Sequence, residues 1–184
     1  MKKELVIGVT GASGIIYARR LLEVLCPEAN VHVIVSGTAK EIAAYEGAPL
    51  EGFDATYHDI GDIGAPIASG SHRFDGIVVI PCSAKTLAAI AHGYADNLIT
   101  RTADVCLKEK RKCILVTRET PLSRIHLNNM LAVVEAGATV LPACPSFYTK
   151  PQTIEDLVDM VVARVLDHAG VEHALAKRWN GYDA

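Results

Sequence analysis

Leu5-Val6-Ile7-Gly8-Val9-Thr10-Gly11-Ala12-Ser13-Gly14-Ile15-Ile16 decides the fold. Leu5 to Val9 reads as a first strand. A Gly-rich turn follows, and a helix-period stretch runs from Ile15 to Leu25. Pro27 and Asn30 mark that helix's end, and Val31 to Val35 repeats the strand signal before Ser36-Gly37. The alternation continues outward. A helix is predicted over 38–46, a strand over 76–80, helices over 84–91 and 96–110, a strand over 113–117, a helix over 122–136 ended by Gly137, and a short strand over 138–141. Residues 47–73, rich in Gly and with Pro49 and Pro66, read as irregular. The last helix is announced by Thr153 as cap, with Asp156 three residues on. Its apolar face comprises Ile154, Leu157, Val158, Val161, Val162, Val165 and Leu166, and Gly170 ends it. Strands and helices in this order predict one α/β domain, Rossmann-like or flavodoxin-like, with three α/β/α layers around a mostly parallel sheet.

In such folds ligands bind beyond the carboxyl ends of the strands, so the loops near residues 10, 36, 81, 118 and 142 are the ones to search. The first has the spacing G-x-x-G-x-x-G, a weak dinucleotide signal, and is equally a tight turn with Ser13 as helix cap. Ser36 stands where dinucleotide folds place the acidic residue that holds a ribose, which favours a mononucleotide over NAD. Pro81-Cys82-Ser83-Ala84-Lys85-Thr86 offers hydroxyls and N–H groups at a helix start, suited to a phosphate or a ring carbonyl, although Ser83 is also an ordinary N-cap. Cys82 lacks a patterned activating partner and reads as structural. Arg101, Asp104 and Lys108 share a helix face, the pattern of a solvated ion-pair ladder. Arg118 follows a strand at the ligand edge and is an anion-binding candidate or a surface ion pair. Tyr148 lies between Pro145 and Pro151, and Arg164 flanks the apolar stripe of the last helix. Together these cations and hydroxyls point to an anionic small molecule.

Composition bounds the partners. The chain has 184 residues, half of them apolar, and a formal net charge of −3, so no basic field favours nucleic acid or an anionic membrane. No apolar run reaches the ~20 residues a bilayer requires, and the N-terminal stretch is too short and too soon interrupted for a signal peptide. Five cysteines without a C-x-x-C pair fit neither a disulfide framework nor a zinc knuckle, so a reduced, cytoplasmic protein is expected. The seven histidines show no metal-ligand spacing, and no metal site is expected.

In combination these motifs resemble the UbiX-type flavin prenyltransferases. The resemblance rests on Thr10 to Gly14, Ala68 to Ser71, Pro81-Cys82-Ser83, Ala95 to Glu109, Arg118 to Ser123 with Ile125 to Met130, Pro145 to Tyr148, Val161 to Arg164, and Arg178-Trp179. It implies transfer of a dimethylallyl group, from dimethylallyl phosphate or pyrophosphate, to N5 and C6 of reduced FMN without a metal. The product, prenylated FMN, would serve UbiD-type decarboxylases. It implies that Gly11, Ala12, Ser13, Ser36, Ser83, Ala84, Lys85, Thr86 and Arg118 hold FMN. Arg101, Lys108, Glu119, Tyr148 and Arg164 would hold the donor. Ser13 and Glu46 would manage protons near N5, and Tyr148 and Trp179 would offer π faces to a developing allylic cation. Lys108 and Glu119 would complete the phosphate site. A single domain over 1–184 is implied, with a tail from about 171 at the active site or a subunit interface, in a homo-oligomer expected to be a dodecamer. Two rivals share the fold: an FMN-dependent cysteine decarboxylase, with His72 near the place of its catalytic histidine, and a non-catalytic flavin carrier.

Overall fold

The computed structural model describes residues 2–181; residues 182–184 of the expected tail lie outside the described residues. Six parallel strands form one sheet: β1 (Glu4–Val9), β2 (Asn30–Val35), β3 (Thr56–His58), β4 (Gly76–Cys82), β5 (Lys112–Thr117) and β6 (Thr139–Val140). Their order is β3-β2-β1-β4-β5-β6, and every neighbouring pair is parallel. The helices are α1 (Ile15–Leu25), α2 (Gly37–Glu46), α3 (Ala84–Ala91), α4 (Leu98–Lys108), α5 (Arg124–Glu135) and α6 (Ile154–Ala169).

Alternate strand residues feed two cores. Leu5, Ile7, Val9, Val31, Val33, Val78 and Ile80 pack with α1, α2 and α6 on one face. Val6, Ile34, Ile77, Val79 and Leu115 pack with α3 and α4 on the other. Burial on both faces explains why these strands lack polar alternation. Chain order reverses between β1 and β4, and a crevice opens beyond their carboxyl ends, as doubly wound sheets dictate.

Two local expectations change. The irregular segment contains β3, which pairs beside β2, and a 3-10 turn at Pro66–Ala68. Three residues are too few for a period to show, and only the exposed edge of β2 calls them into the sheet. Ile154, assigned to the apolar face of α6, is 67% exposed, because it is the first helical residue and points off the sheet. Leu157 is half-buried and the rest of that face is buried, the Thr153–Asp156 capping box is formed, and Gly170 ends the helix at φ 70°.

Candidate active site

The crevice has a volume of about 400 Å³ and is lined by Thr10, Gly11, Ala12, Ser36, Thr38, Ser83 to Thr86, Asn97, Arg118 and Glu119, among others. The starts of two helices meet there. Ser36 Oγ accepts from Ala39 N (3.2 Å) at the head of α2, and Ser83 Oγ accepts from Thr86 N (3.3 Å) at the head of α3. Their serines satisfy one backbone donor each and leave others facing the crevice, a natural seat for anionic or carbonyl oxygens. Thr10 fastens the two central loops together. Its hydroxyl donates to Pro81 O (2.8 Å) and accepts from Ser83 N (2.8 Å). Gly11 is dictated by a close approach, since a Cβ there would stand 2.8 Å from Thr38 Cγ2.

Arg118 decides the character of this crevice. Its Nε is buried and hydrogen-bonded to nothing among the described residues. A surface ion pair, the bland alternative, is therefore not what this arginine makes. A buried donor without a partner is costly, and a ligand acceptor in the crevice relieves it. The donor set of Arg118, two helix starts and serine and threonine hydroxyls fits a flavin mononucleotide.

Glu46 overturns one local expectation. Ser13 does not cap α1; the N-cap is Gly14, at φ 100°, where no side chain is available to cap. The carboxylate of Glu46, from the end of α2, takes over and accepts from Gly14 N (3.1 Å) and Ile15 N (2.9 Å). This brings Glu46 beside exposed Ser13 at the lip of the first loop, although neither lines the crevice.

The remaining candidates fall into two further groups. Tyr148 and Trp179 meet edge to face, ring centroids 5.4 Å apart, in a second cavity of about 520 Å³ that Arg164 also lines. Asp167 organises that cavity. It bonds Arg164 Nη1 (2.7 Å), His173 Nε2 (3.1 Å) and Arg178 Nη2 (2.9 Å), joining α6 to the tail that carries Trp179. Burial alone would raise the pKa of Asp167, but the hydrogen bonds and charges of Arg178 and His173 outweigh it and hold the carboxyl below the ordinary value. The third group lies along α4. Arg101 bonds Ala68 O (3.0 Å) and Asp104 (2.8 Å), as the ion-pair pattern implied, while Lys108 pairs with Glu109 rather than Asp104. Neither Arg101 nor Lys108 lines the crevice or the Tyr148 cavity.

The family model described as Flavoprotein matches residues 1–166. The flavin prenyltransferase UbiX of Methanocaldococcus jannaschii is 47% identical over 180 residues, covering 96% of this chain and 98% of that one. A probable UbiX-like flavin prenyltransferase of Escherichia coli O157:H7 is 48% identical, covering 97% and 93%. The chain belongs to the UbiX flavin prenyltransferase family. Among solved structures, AnUbiX in complex with FMN and dimethylallyl pyrophosphate superposes with a TM-score of 0.92 at 43% identity, over 99% of this chain and all of that one. A dodecameric FMN-dependent UbiX-like decarboxylase from Escherichia coli O157:H7 gives 0.92 at 48%, over 97% and 100%. The peptidyl-cysteine decarboxylase EpiD, at 21% identity and a TM-score of 0.64, shares the fold.

Membership is consistent with three features of the chain. Cys82 is fully buried and its thiol is pushed up to about 12, so it is no nucleophile. His72, the residue a cysteine decarboxylase reading would use, is held by Glu4 at 2.9 Å and does not line the crevice. A larger cavity of about 720 Å³ between α2 and the β2–β3 edge includes Val33, Val35, Leu50 and Tyr57, and lacks both Arg118 and the second helix start. Thr10, Thr38 and Asn97 also line the crevice. A lone threonine or asparagine at a strand end or helix start carries no spacing signal, so only the fold, which sets Thr10 after β1, Thr38 in the first turn of α2 and Asn97 at the cap of α4, reveals them.

Proposed function

We propose that this chain transfers a dimethylallyl group from dimethylallyl phosphate or pyrophosphate to N5 and C6 of reduced FMN, and that the prenylated FMN serves UbiD-type decarboxylases. The observation that carries the reading is the unpartnered, buried Nε of Arg118 in a crevice headed by two serine-capped helices. Reduced FMN, when bound, supplies the nucleophilic atoms. Gly11, Ala12, Ser13, Ser36, Ser83, Ala84, Lys85, Thr86 and Arg118 hold it. Glu46 and Ser13 hold and move protons at the lip of the site.

Arg101, Lys108, Glu119, Tyr148 and Arg164 grip the donor. As the allylic C–O bond breaks, the phosphate leaves with the electron pair, and cations fixed in advance lower that barrier. The Tyr148 and Trp179 rings face the positive charge that appears on the allyl group. One chain does not bring the α4 cations, the crevice and the Tyr148 cavity together, so a neighbouring copy completes each site. We propose a homo-oligomer, and a dodecamer by analogy with the Escherichia coli relative. The exposed Ile125, Leu127, Leu131 and Val134 of α5 supply an apolar face for such contacts. Five free thiols, four of them buried, suit a reducing cytoplasm. No helix of the described residues is long and apolar enough to cross a membrane.

Glu46→Gln tests the reading. Glutamine retains an oxygen to accept from Gly14 and Ile15 but cannot take a proton as a carboxylate does. The variant should bind FMN as the wild type does, measured by quenching of flavin fluorescence, and lose turnover by ~100-fold or more. Undiminished product formation would remove Glu46 from the chemistry.

A further inference from the structure

Glu4, His32 and His72 converge at the opposite end of β1 from the crevice. Glu4 opens β1, His32 sits mid-way along β2, and His72 lies in the loop before β4. Glu4 Oε1 stands 3.1 Å from His32 Nε2 and 2.9 Å from His72 Nε2, and the three donor atoms all lie within 4.8 Å of one another. The flavin chemistry uses none of them. We propose that these three side chains bind one divalent transition-metal ion of the zinc or cobalt class.

Four arguments support the assignment. The first is distance. Ligand bonds of about 2.0–2.1 Å at tetrahedral angles put ligand atoms about 3.3–3.4 Å apart, so the two sides that meet at Glu4 have to open by a few tenths of an ångström and the His32–His72 side, within 4.8 Å, has to close by at most about 1.5 Å. The second is donor chemistry. Two imidazoles and one carboxylate form the N₂O set of open zinc sites, whereas magnesium and calcium prefer oxygen alone.

The third is support behind the ligands. His32 Nδ1 lies 2.9 Å from His58 Nε2, and the two rings stack with centroids 5.1 Å apart. A metal on His32 Nε2 places the ring proton on Nδ1, where it donates to His58 Nε2. A fixed partner on the far nitrogen is the usual companion of a metal-bound histidine. His32 and His58 both stay neutral, each exchanging one tautomer for the other, so the proton count balances.

The fourth is preorganisation. Arg111 donates to His72 O (2.8 Å) and Gly70 O (2.6 Å) and lies over the Phe74 ring at 4.6 Å, which pins the loop carrying His72. Glu4 N donates to Asp75 Oδ2 (2.8 Å) and Asp75 N to Glu4 O, so the strand start and the loop are locked to each other. The side chains of Glu4 and His72 are 28% and 35% exposed. An ion can therefore enter from solvent, and a fourth position remains for water. No sequence spacing announces the site, because its ligands come from three segments separated by 28 and 40 residues.

The test is Co²⁺ added to the metal-free full chain, followed by gel filtration, elemental analysis and the visible ligand-field spectrum. The wild type should keep one ion per chain and show bands of a four- or five-coordinate site. Cys144→Ser, which removes the one exposed thiol, should behave identically. His72→Gln and Glu4→Gln, checked for folding by circular dichroism, should bind at least ~10- to 100-fold more weakly. A paramagnetic-shift measurement on the wild type reads the same point without substitution: the imidazole signals of His32 and His72 should move strongly and that of His126, at the head of α5 beyond the opposite edge of the sheet, far less. A wild type that retains no cobalt, variants that retain as much as it does, or unmoved His32 and His72 signals would each overturn the site.

Discussion

Arg118 and Asp167 are both set apart by what surrounds them. Arg118 was legible as an ionic candidate from its place after β5, but sequence could not separate a ligand contact from a surface pair. Burial of its Nε without a partner among the described residues favours the ligand contact. Asp167 was not legible at all, because an aspartate near a helix end reads as a solvated charge. Its three partners, Arg164, His173 and Arg178, come from α6 and the tail, which no periodicity links. The folded pKa of Asp167 lies below the unfolded value of about 3.9, so these contacts contribute above that value and are lost as pH falls through the folded pKa. Trp179, the one tryptophan, reports on the tail. Its fluorescence should be constant from pH 7 to 5 and change below about pH 4. Asp167→Asn should give the low-pH signal at pH 7 and slow transfer on the order of 100-fold by misplacing Arg164. Unchanged fluorescence and rate in that variant would remove Asp167 from the tail's attachment.

At the scale of elements, long apolar strands and capped helices were readable, and short pieces were not. The bounds of α1 matched at both ends, and the capping box of α6 formed as its sequence specified. β3 was invisible because pairing, not composition, creates it. The cap of α1 was misplaced because Glu46 arrives from another helix, and a local window around Ser13 contains no trace of it. The reading of α6 makes a quantitative contrast. Thr153→Ala removes the cap and should cost about 1 kcal/mol, lowering Tm by about 2–4 °C. Leu166→Ala, at a fully buried position in the core under β1 and β4, should cost about 2–5 kcal/mol. Thermal denaturation of both variants checks the order; equal losses would mean that α6 is held by its end rather than its face.

At the scale of the whole molecule, the fold was legible because the central strands β1, β4 and β5 are buried on both faces, and the family from motifs spread along nearly the whole chain. A site shared between subunits was implied by the family resemblance alone; no spacing or periodicity in the sequence announces it. Arg101 and Lys108 stand apart from the crevice that contains Arg118. A shared site makes a definite forecast for co-expressed variants. Lys108→Ala and Arg118→Ala should each be nearly inactive alone, since one lost charge-assisted donor costs ~100- to 1,000-fold. Mixed oligomers should regain a fraction of wild-type turnover, because some sites then draw both residues from unmutated copies. No recovery in mixed oligomers confirmed by light scattering would place both residues in one chain's site. The transfer reaction itself is tested most directly under anaerobic conditions, with protein, dithionite-reduced FMN and either dimethylallyl monophosphate or pyrophosphate, and mass spectrometry of the extracted flavin. The expected product is a flavin heavier by one C5H8 unit, formed only with protein and with at least one donor. Unmodified FMN with both donors, from protein that visibly binds the flavin, would contradict the transfer reaction.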